Sequence, residues 1–289
     1  MADYQYLEVS VAKGVARITA NRPEARNAQS RRLLEELDQA FLRASDDREV
    51  KAIVLLGAGD HFSGGHDLGT ADELADRQVR PLEPGLRGRV THSREHFVDK
   101  TLRWRNLPKP TIAAVQGYCI FAGWLVASAM DIIYAADNAM FLGANFQYFS
   151  IPWDVHPRKA KEFLYESRFI DAEEALQLGL VNRVFPLADL QTATLEYAER
   201  IARNDPFQLR MIKMAVNQMQ DGQGFHAHIT AAHAMHILSS EGEKDPGYAL
   251  KVPEGARRPM VQRAFEHYEL RKRALGSATE DGDEHGDDQ

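Results

Sequence analysis

The stretch QGYCIFAGWLVASAMD, residues 116–131, decides how this chain is read. Gly117 marks a turn, Ala122–Met130 reads as a helix apolar on all sides, and no charged side chain appears before Asp131. A helix of that kind is buried rather than amphipathic. Thr111–Val115 (TIAAV) upstream and Ile132–Ala135 (IIYA) downstream are short apolar runs of strand character. Strand, glycine turn, buried helix and strand in this order make one unit of an α/β core with a mainly parallel sheet.

The pattern extends outward. Tyr6–Val11 and Val15–Ala20 alternate around Ala12-Lys13-Gly14 as a hairpin. Leu33, Leu34, Leu37, Phe41 and Leu42 recur at helical spacing between about Ser30 and Ser45. Lys51–Leu56 (KAIVLL) is a buried strand, and His61–Leu68 (HFSGGHDL) a glycine loop after it. The polar stretch up to Arg89 is either a loop or a poorly ordered helix. His92–Arg105 is helical; strands follow at Ala139–Leu142 and Leu180–Phe185, with helices at Arg158–Glu166, Ala172–Leu178 and Leu187–Arg203. Residues 1–205 are thus expected to form the core. Residues 206–278 form a helical region suited to packing on a neighbour or subunit, and the acidic 279–289 (TEDGDEHGDDQ) should be disordered.

A net charge of -7 and a pI of about 5.9 argue against nucleic acid or an anionic membrane as the main partner. The single cysteine, Cys119, excludes an internal disulfide and suits a reducing compartment. No basic-then-apolar signal opens the chain, and no apolar run reaches the ~20 residues that span a bilayer. A soluble, cytoplasmic protein is expected.

The two glycine turns, Ser63-Gly64-Gly65-His66 and Gly117 through Gly123, each follow a strand. Ligands of open α/β sheets gather beyond the carboxyl ends of strands. Two such loops can aim backbone N–H groups at one point and make an oxyanion hole, each donor lowering a barrier by about 2.7–4 kcal/mol. They can equally be ordinary tight turns.

Five segments in order, NRPEARNA (21–28), FSGGHDL (62–68), PKPTIAAVQGY (108–118), DIIYA (131–135) and EALQLGLVNRV (174–184), resemble the crotonase (enoyl-CoA hydratase/isomerase) superfamily. The resemblance implies a spiral β/α core that binds acyl-CoA, with trimers or hexamers built through C-terminal helices. It implies no separate cofactor, coenzyme A entering as part of the substrate. Arg22, Arg26 and Ala28, with Gly65, Asp67 and Leu68, would flank the coenzyme A, and the oxyanion donors would be the amides of His66 and Ala122.

The same resemblance exposes an absence. Typical hydratases carry a glutamate two residues after the last glycine of the turn; here that glycine is Gly123 and the position holds Leu125. The second glutamate position, counted back from Ile151-Pro152, holds Asn145. Neither side chain can act as acid or base. With Trp124, Leu125 is expected to make a drier wall. His66, Asp154, His156 and Tyr148 are the candidate proton carriers, each with a structural use that would also explain it; Gln147 can only orient a water. His226, His228, His233 and His236 lack a completing ligand set, so no metal is expected. Arg271-Lys272-Arg273 can meet a phosphate or simply end a helix. An enoyl-CoA hydratase- or isomerase-like enzyme with non-standard acid–base groups is expected. The alternatives are a catalytically silent coenzyme A-binding homologue, or a tailoring enzyme (isomerisation, C–C cleavage or cyclisation) acting on a non-CoA substrate.

Overall fold

Strands β1 (Leu7–Ala12) and β2 (Val15–Ala20) pair antiparallel, as the alternation predicts, with Lys13 and Gly14 at positive φ in the turn. The computed structural model describes residues 4–143, 147–241 and 259–283. β2 continues in parallel with β3 (Ala52–Gly57), β4 (Thr111–Val115), β6 (Ile132–Ala136) and β9 (Arg183–Phe185), giving one sheet in the order β1-β2-β3-β4-β6-β9. β3 and β4 are buried and, apart from Thr111, apolar, as expected of parallel strands covered on both faces. A smaller sheet joins β5 (Tyr118–Ile120), β7 (Met140–Leu142) and β8 (Ile170–Asp171).

Helix α1 (Arg31–Asp46) starts where the Ser30 hydroxyl accepts from Leu33 N–H, and it buries Leu33, Leu37 and Phe41 against the sheet. Each such side chain contributes roughly 1.5–3 kcal/mol of burial. The polar stretch after the glycine loop forms two helices, α2 (Ala71–Val79) and α3 (Gly85–Ser93). Sequence periodicity misses them because α2 is tied down by polar contacts: Glu73 is buried and accepts from Arg31 N–H. α3 runs through a π-helical turn, Arg94–Asp99, into α4 (Lys100–Arg105).

α5 (Ala122–Ser128) is buried as its composition requires. α6 (Ile151–Asp154), α7 (Pro157–Glu166), α8 (Ala172–Gln177) and α9 (Leu187–Ile201) complete the core. The C-terminal region comprises α10 (Pro206–Gly222), α11 (Phe225–Glu241) and α12 (Pro259–Asp283). It packs on the core of its own chain: Ala264 and Tyr268 of α12 lie on Ile120, Leu142 and Phe169, and Phe225 and Ile229 of α11 join the main cluster. Among the described residues α10 leaves several large apolar side chains exposed, Phe207, Ile212, Met214, Val216 and Met219 among them. Residues 279–283, expected to be disordered, continue α12, since an established helix gains one backbone bond per added residue; 284–289 lie outside the described residues. Among the described residues no helix is long and apolar enough to cross a membrane.

Candidate active site

Both glycine turns emerge from the carboxyl ends of adjacent parallel strands, β3 and β4, and they interlock. Phe62 N–H donates to Gln116 C=O at 2.7 Å, Ser63 N–H to Tyr118 C=O at 2.8 Å, and Ile120 N–H to Ser63 C=O at 3.0 Å. Side-chain volume is excluded at two points. Gly65 sits at φ 93, and a Cβ there would come 2.8 Å from Ile120 C=O. A Cβ on Gly123 would come 2.7 Å from Ser63 Cβ. Both contacts are closer than a side chain tolerates, so the two loops touch backbone to backbone only because glycine stands at each.

The first loop is held from the other side by residues 26–29. Gly64 N–H donates to Arg26 C=O at 2.7 Å, and Gln29 N–H to Gly65 C=O at 2.7 Å. Asp67 N–H reaches Gln29 C=O at 3.1 Å. Since the 65–66 peptide is trans, its C=O aimed at Gln29 sends the His66 N–H the opposite way. In the second loop Ala122 is the first residue of α5, so its N–H has no intrahelical acceptor. It is aimed by Phe121, whose φ of 47 and ψ of -106 are unusual for a bulky residue. Nothing in the sequence marks Phe121 for this task, because glycine is the residue expected at positive φ.

The His66 ring is half-buried, lies 4.5 Å from the Phe97 ring, and places Nε2 2.7 Å from Gln147 Oε1. Gln147 Nε2 donates to Ser93 Oγ at 3.0 Å, and His233 Nε2 lies 3.0 Å from the same oxygen. Ser93 and Phe97 carry no sequence signal that would single them out. Leu125 is buried beside Phe121, and α5 holds no titratable side chain. Cys119 is buried, which pushes its thiol well up and suits a structural role.

Several expected site residues are engaged elsewhere. Arg22 was expected beside coenzyme A, but its guanidinium is buried, donating to Asp67 at 3.0 Å, Ala28 C=O at 2.9 Å and Thr70 at 3.1 Å, and lying over Tyr6 at 4.5 Å. Asp67 likewise serves the loop, accepting from Gly69 and Thr70 N–H; its carboxyl is depressed by the Thr70, Gly69 and Arg22 hydrogen bonds, against the upward push of burial. Thr70 caps α2. The Trp124 ring is no pocket wall: it is sealed between Phe141 and Phe163 at 5.7 and 5.9 Å. His156 caps α7, Nδ1 accepting from Arg158 N–H at 3.3 Å. Arg271 pairs with Glu174 and Lys272 with Asp171, so neither cation is uncommitted. His226 faces Asp221, His228 bonds Trp153 and His233 bonds Ser93. Arg26 and Leu68 remain exposed at the loop mouths. Asn145 lies outside the described residues.

Asp154 and Tyr148 face a different space. They line a cavity of about 560 Å³ with Arg105, Asp131, Lys213 and Phe225, and neither His66, Ala122 nor Leu125 belongs to its wall. Pro110, Asp131 and Ile132 place it at the amino ends of β4 and β6, opposite the glycine loops. Asp154 is exposed to the cavity, and desolvation by the surrounding wall raises its carboxyl to about 7 against the pull of the Ser150 hydroxyl and Arg105. Water entering the cavity moderates that rise. Asp154 and Tyr148 are therefore not brought together with the glycine loops.

This architecture recurs in known proteins. A family model described as enoyl-CoA hydratase/isomerase matches residues 10–244. EchA13 of Mycobacterium tuberculosis (strain ATCC 25618 / H37Rv), provisionally named an enoyl-CoA hydratase, is 38% identical over 244 residues, covering 78% of this chain and 77% of that one. The crystal structure of a probable enoyl-CoA hydratase from Mycobacterium smegmatis is similar at TM-score 0.74 and 44% identity, over 81% of this chain and 93% of the other. An enoyl-CoA hydratase/isomerase from Xanthobacter autotrophicus Py2 gives TM-score 0.74 at 34% identity, over 84% and 90%. Sequence match and shared architecture agree over the part of the chain that carries both glycine loops, and the chain belongs to the enoyl-CoA hydratase/isomerase family of the crotonase superfamily.

Proposed function

We propose that this chain binds an acyl-CoA thioester and polarises its carbonyl between the amides of His66 and Ala122, stabilising an enolate without a carboxylate on α5. The observation that carries the proposal is the backbone contact of the two glycine loops, which excludes a Cβ at Gly65 and at Gly123. Coenzyme A is a carrier within the substrate, meeting Arg26, Ala28 and Leu68 at the loop mouths. Leu125 removes the usual proton donor, leaving the His66 imidazole as a candidate proton carrier at the loops. Proton transfer by a positioned group contributes ~10²–10⁴-fold. Reactions in which enolate stabilisation carries more of the barrier, isomerisation among them, suit such a site better than hydration by a carboxylate pair.

The apolar face of α10 is proposed to meet a second copy, in a trimer or hexamer. A series of 2-enoyl-CoA thioesters of increasing chain length tests the catalytic reading. Turnover that falls on His66→Ala supports it. The second reading, a coenzyme A-binding homologue without turnover, is favoured by the lack of a titratable group on α5. Tight binding of the thioesters with no conversion would select it, and failure to bind any of them would point to a non-CoA substrate.

A further inference from the structure

The chain of contacts from His66 through Gln147 and Ser93 to His233 joins four separate elements: the first glycine loop, the segment after β7, the end of α3, and α11. Gln147, Ser93 and His233 are all buried. Polar groups placed inside cost stability unless satisfied, and apolar residues would fill this space without that risk. The π-helical turn beginning at Arg94 adds a second observation, since it sets Phe97 against the His66 ring at 4.5 Å directly after Ser93. Single π turns inside helices are frequent at functional sites.

We infer that Gln147 and Ser93 are positioning residues that hold the His66 imidazole with its proton on Nε2, with His233 of α11 closing the chain. An amide oxygen only accepts, so the His66 nitrogen facing Gln147 Oε1 must carry the hydrogen, and the lone pair of the neutral ring falls on Nδ1. Turning the Gln147 amide round would reverse the whole chain, with Ser93 donating to Oε1 and His233 obliged to donate from Nε2. The Ser93 hydroxyl in turn donates to His233 Nε2 while that ring is neutral. Burial, with Arg94 and His236 nearby, favours the neutral ring, and only Asp99 opposes. This deepens the proposed function and rests on its assignment of His66.

The test uses full-length protein labelled with [15N]histidine, studied by solid-state NMR at pH 8.5, with His66 identified by the signals missing from His66→Asn. Wild type should show a protonated Nε2 and an unprotonated Nδ1. Gln147→Leu should show both tautomers, and Ser93→Ala, which frees the amide to turn, should do so in part. Gln147→Glu keeps an acceptor, so it should retain the Nε2 proton and keep the ring charged to higher pH. On a thioester that wild type converts, Gln147→Leu should lower kcat roughly ten- to hundredfold, part of what a positioned acid–base group supplies, with KM within about twofold. A wild-type proton on Nδ1, or His66 signals unchanged in Gln147→Leu, overturns the inference. If wild type converts no thioester the catalytic reading fails instead, and the nitrogen signals still decide the positioning.

Discussion

Replacing Gly123 by alanine sets a methyl group 2.7 Å from Ser63 Cβ, and Gly65→Ala sets one 2.8 Å from Ile120 C=O at a φ of 93. Each forces the glycine loops apart. Both variants should lose roughly 10²–10³ in kcat, the scale of one lost oxyanion donor, while far-ultraviolet circular dichroism stays native. Full activity in Gly123→Ala would contradict the placement of Ala122 as a donor. Arg22 and Asp67 act on the same loop from behind: the pair is buried on both sides at 3.0 Å. Asp67→Ala leaves a buried cation uncompensated and should cost ~3–5 kcal/mol in urea unfolding. A loss under about 1 kcal/mol would show that water reaches Arg22 and weakens the pair.

Asp154 gives α6 and its cavity a pH dependence. The folded chain raises this carboxyl to about 7 from an ordinary value near 3.8 and so holds its proton more tightly than the unfolded chain. That contribution is complete below about pH 4 and is lost as the pH rises through about 7. Asp154→Asn stays uncharged throughout, so its Tm should exceed that of wild type modestly at pH 8, since Asp154 is exposed to the cavity, and match it at pH 4; equal Tm values at both would show that water in the cavity solvates the charge fully. Helix α10 makes a separate prediction. Ile212 and Val216 are exposed at 54% and 58%, at the rim of the cavity that holds Asp154. Ile212→Glu with Val216→Glu should convert an assembly to monomers in light scattering. An unchanged mass would place the subunit contact elsewhere.

Across the whole molecule, apolar runs at strand period and helical spacing made the core legible: β2, β3, β4 and β6, helices α1, α5, α7 and α9, and the hairpin all lie where their residues predict. β5 and β8 escaped because strands of three and two residues show no period, and α2 because its stability comes from Glu73, Arg31 and Asp76 rather than an apolar stripe. At the site, the glycine loops could be read from turn chemistry and from resemblance, whereas long-range pairing could not. Arg22 looks like a coenzyme A contact until Asp67, 45 residues away, is seen to hold it. Ser93 and Phe97 look like ordinary helix residues until the π turn brings them to His66. A crystal structure with a bound, slowly reacting acyl-CoA thioester tests the central claim most directly. The thioester oxygen should lie about 2.7–3.1 Å from both the His66 and the Ala122 nitrogen; an oxygen bound at only one of them, or a thioester seated in the cavity beside Asp154, would contradict it.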